Sequence, residues 1–260
     1  MLKRILTALV IAPAAIVMMA LGGVPLLVII LLTSFLTAQE IYVMLAQNGY
    51  SPNTFVGYLL ISGIIFSAFA HETRPLWDTL GMKALVVVVL GGAVVEIVHK
   101  KVWFSHNSWL ATLRVAVFVG VTFSFYIVLR SGTHGLRNVL FCTLMTWLAD
   151  IGALVGGRYF GNHPLSEISP KKTVEGSAAS ILTCIVFSFV LIWLLGLTWH
   201  YVFLGVIISI VGQIGDLHES LTKRAFKVKD SSSLLPGHGG IYDRGDSAMF
   251  TLPVSYYLLN

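Results

Sequence analysis

Long apolar runs alternate with short polar segments along almost the whole chain. Each run holds about 17–23 residues and few charges, which is the length that a helix needs to cross about 30 Å of hydrocarbon. The pattern therefore predicts about eight membrane-spanning helices. They are expected at residues 5–22, 25–44, 54–71, 82–98, 108–130, 135–157, 177–198 and 201–219.

A further apolar run closes the sequence, from Ser247 to Asn260. Its roughly 14 residues would extend about 21 Å as a helix, so the run is expected to stop short of a full crossing. Lys3 and Arg4 before the first run could mark a secretory signal peptide, but the run is long and further spans follow at once. We therefore expect an uncleaved first span.

Composition supports a membrane protein. Of the 260 residues, 56% are hydrophobic and 11% are charged, whereas soluble proteins average roughly 25% charged residues. So few charges cannot form the polar shell of a soluble fold of this size. We predict an all-α, polytopic helical bundle with about eight to nine transmembrane helices.

The basic residues indicate how the chain is oriented. The formal net charge is +5, but these residues lie between apolar runs, as in loops at an anionic membrane surface, and form no nucleic-acid-binding patch. With the N-terminus in the cytoplasm, alternate threading puts about 13 basic residues on one side and about four on the other. The long loops 158–176 and 220–246 are therefore predicted to be cytoplasmic.

Carboxylates at the depth of the predicted spans are candidates for function, because ionised groups are costly there. Glu40 and Glu96 stand alone near the ends of two spans, and we interpret them as interfacial or interhelical hydrogen-bonding groups. Asp150 and Asp216 instead lead directly into the two long loops. We expect these two aspartates to converge at one interface. The only cysteines, Cys142 and Cys184, lie inside apolar runs and are interpreted as small buried hydrophobic residues.

A polar stripe continues the last full span into its loop. Helical spacing would place a carboxylate, a hydroxyl and cations on one face. The members are Asp216, Glu219, Ser220, Lys223 and Arg224. A solvated amphipathic helix end would show the same spacing, so the stripe alone leaves both interpretations open.

The two long loops have the composition of phosphate-binding segments. One contains Pro236-Gly237-His238-Gly239-Gly240 and Asp243-Arg244-Gly245-Asp246, and the other contains Ser169-Pro170-Lys171-Lys172-Thr173. Glycines let backbone amides approach a phosphate, and lysines and arginines neutralise it. Paired aspartates supply oxygen ligands for Mg²⁺. Lysines beside a span are usually topology anchors, but their hydroxyl and glycine neighbours favour phosphate contact.

The stretch from Ser220 to Asp230, continued from Leu235 to Asp246, closely resembles the long signature of the phosphatidate cytidylyltransferase family. Segments 169–176 and 215–220 and the multi-span N-terminal half are similar to that family too, so the resemblance covers essentially the whole chain. Thr222 and Gly245 stand where the family usually has an apolar residue. Gly245 could loosen the geometry of the aspartate pair.

The resemblance implies an enzyme that makes CDP-diacylglycerol and pyrophosphate from CTP and phosphatidate and requires Mg²⁺. It implies membrane helices in 1–130, a catalytic membrane region in 131–260 and a metal centre on Asp216 and Asp243, with Asp246 as a helper and Asp150 as a weaker candidate. Catalytic cations would be Lys223 and Arg224. Substrate contacts would come from Ser169, Lys171, Lys172, Thr173, Ser220, His238, Gly239, Gly240 and Arg244. A homodimer is compatible with this organisation.

The chemistry expected from this resemblance needs no strong base. A phosphatidate oxygen would attack the α-phosphorus of CTP, and that oxygen is already anionic. His238 is therefore expected to shape its loop or to reach a phosphate. A nearer alternative is a kinase or nucleotidyltransferase that acts on another membrane lipid, such as a polyprenol. The residues distinguish this alternative poorly from a phosphatidate cytidylyltransferase. An ion-coupled transporter would explain Asp150 and Asp216 but leaves the glycine and aspartate loop without a role.

Overall fold

The computed structural model describes residues 2–70, 76–104, 107–235 and 239–260, with side chains from residue 11 onward. The described residues form nine α-helices and no strand, which confirms the predicted all-α class. The helices are α1 (Leu2–Leu21), α2 (Gly23–Gln47), α3 (Thr54–Phe69), α4 (Leu80–His99), α5 (Ser108–Arg130), α6 (Gly135–Phe160), α7 (Val174–Leu195), α8 (His200–Ala225) and α9 (Tyr242–Leu259).

Six of the described helices, α2 and α4 to α8, are long and apolar enough to cross a membrane. Two shorter stretches, Ile11–Leu21 in α1 and Thr54–Phe69, are apolar as well. The chain is therefore an integral membrane protein built as a polytopic helical bundle, as predicted from the apolar runs.

Contacts at and just beyond the helix ends agree with helices that alternate in direction. Near the end of α1, Met19 O accepts a 2.8 Å hydrogen bond from Nε of Arg130, the last residue of α5. Lys100, which follows α4, forms an ion pair with Glu167, which follows α6. The ends of α1 and α5 thus meet, and so do the segments that follow α4 and α6.

The final helix is longer than the apolar run predicted. It begins at Tyr242 and holds 18 residues, so it extends about 27 Å rather than about 21 Å. At its far end, Tyr256 Oη donates to Asp78 Oδ1 at 2.6 Å, and Tyr257 Oη donates to Trp77 O at 2.9 Å. Hydropathy missed the first turn because its polar side chains face an internal cavity instead of lipid.

Both long loops are also shorter than predicted. The first connection covers residues 161–173, because α6 continues to Phe160 and α7 begins at Val174. The second covers residues 226–241, since α8 carries its polar stripe to Ala225 before it ends. Residues 220–225 and 242–246, which fell within the predicted loop, therefore lie on helices, and the helical stripe predicted from Asp216 onward is part of α8.

Helices α6 and α7 approach each other closely along a seam of small residues. A Cβ atom built on Gly156 would lie 2.1 Å from Ala179 Cβ, and one on Gly152 would lie 2.4 Å from Thr183 Oγ1. Neither position has room for a side chain. The seam lets the two helix backbones approach and brings the connection 161–173 beside α8.

Candidate active site

A cavity of about 1080 Å³ lies between the helices, and it has two chemically different walls. One wall comes from the connection before α7, the end of α8 and the start of α9, and it is charged. The other comes mainly from α1, α2, α5 and α6, and it is largely apolar. The charged wall includes Lys172, Asp216, Glu219, Lys223, Arg244 and Asp246, whereas the apolar wall includes Met19, Leu26, Ile30, Phe123 and Ile151.

Three carboxylates meet on the charged wall. Asp216 and Glu219 lie one turn apart on α8, and Asp246 comes from α9; one oxygen of each lies within 4.8 Å of the others. The two helices can approach this closely because α8 has Gly215 at the contact, where a Cβ would lie 2.6 Å from Asp246 O. A group of this kind could hold a metal ion.

Two lysines compensate the charge of these acids. Lys172 Nζ lies 2.6 Å from Asp216 Oδ2, and Lys223 Nζ lies 2.5 Å from Glu219 Oε1 and 2.7 Å from Asp243 Oδ1. Lys172 belongs to the connection before α7, so the structure brings together the two segments that the sequence singled out. The Lys223 group is the more buried of the two, since its side chain is 13% exposed and that of Glu219 is 3% exposed.

Asp243 lies beside the three-carboxylate group rather than within it. Besides Lys223, its carboxylate accepts hydrogen bonds from Ser231 N at 3.1 Å and Gly240 N at 2.8 Å. Its oxygens therefore hold the connection 226–241 and a lysine. The group of three holds Glu219, whereas the family resemblance implied Asp243 at the metal; that role of Asp243 stays a prediction. The position of Glu219 three residues after Asp216, on the same helix face, was the signal for its place in the group.

Several predicted substrate contacts line the same cavity. Lys171 and Thr173 do so from the connection before α7, and Thr173 Oγ1 also accepts the Gly176 N–H at 3.1 Å, which caps that helix. Asp150 faces the same cavity as Asp216. The remaining predicted contacts in this lining are Ser169, Ser220 and Arg244.

Other predicted contacts lie elsewhere. Among the described residues, the cavity lining excludes Arg224, Gly239 and Gly240. Arg224 is exposed and its Nη1 donates to Val228 O at 3.4 Å, because a residue eight places after Asp216 points about 80° away around the helix. His238 lies outside the described residues.

The two glycines are explained by internal contacts. Gly239 has φ +82°, and a Cβ there would lie 2.4 Å from Asp243 Oδ2. A Cβ on Gly240 would lie 2.3 Å from Glu40 Oε2. The glycines let the backbone approach two protein carboxylates, and Gly240 N–H is donated to one of them. Their predicted contact with a phosphate stays a prediction.

The residues that depart from the family signature fit their surroundings. Thr222 is buried, and its Oγ1 donates to His218 O within α8 at 3.0 Å. Gly245 is packed against α5, where a Cβ would lie 2.8 Å from Phe123 Cζ. Gly245 therefore allows α9 to lie close to α5, and its effect on the geometry of the aspartate pair stays a prediction.

Glu96 forms a second buried polar group away from the cavity. Its carboxylate pairs with Arg114 at 2.6 Å, lies 3.2 Å from His218 Nε2 and accepts the Trp103 N–H at 2.8 Å. These bonds join α4 to α5 and α8. The interhelical role interpreted from the sequence is the one that Glu96 has in the structure.

Comparison with known proteins identifies the family. The pattern of the cytidylyltransferase family matches residues 2–260. The chain belongs to this family. Proteins named phosphatidate cytidylyltransferase are similar to it at 35% identity over 260 residues in Staphylococcus epidermidis, 33% over 263 residues in Staphylococcus saprophyticus and 32% over 263 residues in Staphylococcus aureus. Each alignment covers 98% of both chains.

The family resemblance deduced from the signature is thereby confirmed. The chain is a nucleotidyltransferase enzyme of the cytidylyltransferase family. Cytidylyltransferases typically use a metal ion, and the three-carboxylate group of this cytidylyltransferase is a place that could hold one. The lysines around it suit the phosphates of a nucleotide.

Proposed function

We propose that this cytidylyltransferase transfers the cytidylyl group of CTP to phosphatidate and so forms CDP-diacylglycerol and pyrophosphate for membrane phospholipid biosynthesis. The observation that carries the proposal is the cavity with one charged and one apolar wall. Lysines beside carboxylates suit a nucleotide triphosphate with its metal, and the apolar wall suits acyl chains. Phosphatidate has both a phosphate and acyl chains, so its reacting oxygen can lie where the two walls meet.

The acidic group fits Mg²⁺ by its chemistry. Asp216, Glu219 and Asp246 offer only carboxylate oxygens, which Mg²⁺ prefers in sites that it shares with substrate phosphates. Glu219 Oε1 and Lys172 Nζ are buried, and with the described residues each makes an ion pair but no hydrogen bond. We assign Mg²⁺ to these three carboxylates. When bound, it would neutralise charge on the CTP phosphates.

The protein side chains act in this reaction mainly through position and charge. A phosphatidate oxygen forms the new bond to the α-phosphorus of CTP, and the bond to the β-phosphate oxygen breaks with its electron pair leaving on pyrophosphate. Because the nucleophile is already anionic, no side chain has to remove a proton. Lys172 and Lys223, which pair with carboxylates in the structure, would also contact phosphates when the substrates bind. Arg244 lines the same cavity.

The reaction can be separated from its alternatives with CTP labelled at different phosphates. Purified protein in detergent should transfer label from α-labelled CTP to phosphatidate, and only in the presence of Mg²⁺. A lipid kinase would instead transfer label from γ-labelled CTP to diacylglycerol or polyprenol. Transfer of α-label to polyprenyl phosphate in preference to phosphatidate would replace the proposed lipid, and no transfer from either CTP would disprove the proposal.

We further propose that the protein lies in the inner membrane with its charged wall toward the cytoplasm, because alternate threading puts about 13 of the 17 basic residues on the side of this wall. Cysteine labelling in intact cells tests this orientation. Ser233→Cys, on an exposed residue between α8 and α9, should react only with reagents that cross the membrane. Thr133→Cys, between α5 and α6, should react from outside. The opposite result would reverse the topology. The homodimer stays a prediction.

A further inference from the structure

Glu40 is a buried carboxylate on α2 that lies outside the cavity lining among the described residues. It is 6% exposed and accepts four hydrogen bonds from a part of the chain about 190 residues away. Ser231 Oγ and Ser232 Oγ donate to it at 2.7 Å each. The N–H groups of Ile241 and Tyr242 donate at 2.9 Å each. All four contacts end on its two oxygens.

These bonds make Glu40 the cap of α9. The first N–H groups of a helix have no partner inside the helix and usually bond to a side chain just before it. In α9 that position is Ile241, whose side chain cannot accept a hydrogen bond. A carboxylate from another helix takes this role, and its negative charge is favoured at the positive end of the helix dipole.

The capped end of α9 also carries two of the carboxylates beside the cavity. Asp243 and Asp246 lie in the first two turns of α9. Ser231 lies between Glu40 and Asp243, because its Oγ is 2.7 Å from Glu40 Oε2 and 3.1 Å from Asp243 Oδ2. Asp243 in turn holds Lys223, which pairs with Glu219 of the acidic group. A continuous set of contacts therefore leads from Glu40 to the site.

We propose that Glu40 is a positioning residue for the cytidylyl-transfer site, which fixes the first turn of α9 and thereby sets Asp243 and Asp246 against α8. The inference rests on the proposed function. Glu40 acts through other residues and touches neither the cavity nor a substrate in it. Its removal is expected to disturb the site more than the fold, since α2 keeps its many apolar contacts.

Glu40→Gln tests this role with little change of size. The glutamine keeps one acceptor oxygen and replaces the other with an amide nitrogen, which cannot accept a hydrogen bond. Two of the four hydrogen bonds from the N–H groups and hydroxyls are therefore lost. In the metal-free protein, hydrogen exchange at Ile241 and Tyr242 should become about tenfold faster or more. With substrates, kcat should fall about 10- to 100-fold and the Mg²⁺ concentration for half-maximal rate should rise. The KM for phosphatidate should change little.

Gln39→Ala is the matched control. Gln39 is the neighbouring residue on α2, is exposed, and bonds to Tyr58 instead of the segment before α9. This variant should keep wild-type exchange and kinetics. If Glu40→Gln does not fold, Ser232→Ala removes one of the four bonds and should show the same changes to a smaller extent.

The outcomes separate the positioning role from others. Wild-type exchange at 241–242 together with wild-type kcat in the folded variant would overturn the proposal. Uniformly faster exchange in all helices would also overturn it, because Glu40 would then support the whole bundle. If the wild-type protein makes no CDP-diacylglycerol, the proposed function fails, while exchange in the metal-free protein still decides whether Glu40 caps α9.

Discussion

Asp216→Asn is expected to lower turnover of CTP at least about 100-fold while the protein remains folded. The asparagine keeps the size of the side chain but removes the negative charge from a site built of three carboxylates. Asp216 is 36% exposed, and the amide oxygen of the asparagine can still accept a hydrogen bond from the buried Lys172 Nζ, so the loss of stability should be about 1 kcal/mol. Initial rates at saturating CTP and a thermal melt measure the two effects.

Asp78→Asn provides the same chemical change at the other end of the bundle. Asp78 is exposed and accepts from Tyr256 Oη, a bond that an amide oxygen can also accept. Its turnover should stay within about twofold of wild type. Near-normal turnover of Asp216→Asn would remove the assignment of the metal to this group.

Two further substitutions distinguish the acidic group found in the structure from the set expected by family resemblance. Glu219→Gln should raise the Mg²⁺ requirement if Glu219 is a ligand. Asp243→Asn should lower kcat without a response to added Mg²⁺ if Asp243 acts by holding Lys223 and Gly240. The reverse pattern would restore Asp243 as the ligand.

Much of the fold could be predicted because lipid imposes a simple requirement on the sequence. A span has to be apolar over a set length, and the windows from 108 to 130 and from 135 to 157 reproduce α5 and most of α6. The start of α9 could not be found in this way. Its first turn is polar because it lines a cavity, and its cap is Glu40, which lies far away in the sequence.

The site was predicted in outline but not in all its contacts. Helical spacing placed Asp216, Glu219 and Lys223 together, since such contacts are local. Spacing alone could not decide which carboxylates converge across helices, because this depends on the rotation of α9 against α8. Helical spacing also included Arg224 in the polar stripe, although its side chain is exposed and points away from the cavity.

Lys223→Met is expected to damage both stability and activity. Lys223 lies between Glu219 and Asp243, whose side chains are 3% and 8% exposed. Removing the cation leaves two buried carboxylates without their common partner, and breaking a buried pair of this kind costs about 3–5 kcal/mol. Turnover should fall more than about 100-fold, since the cation that we propose as a partner of the phosphates is lost as well. Thermal unfolding in detergent and initial rates per folded molecule measure the two losses.

Arg224→Met is the matched control for the neighbouring cation. Arg224 is exposed and lies outside the cavity lining among the described residues. The free energy of unfolding of this variant should therefore stay within about 0.5 kcal/mol of wild type. The double variant Lys223→Met/Asp243→Asn should recover part of the stability, because an amide replaces one unpaired charge, but it should stay inactive. If Arg224→Met lost as much turnover as Lys223→Met, the catalytic role that the family resemblance implies for Arg224 would stand. The conclusion that Lys223 acts in the site and Arg224 does not would then be wrong.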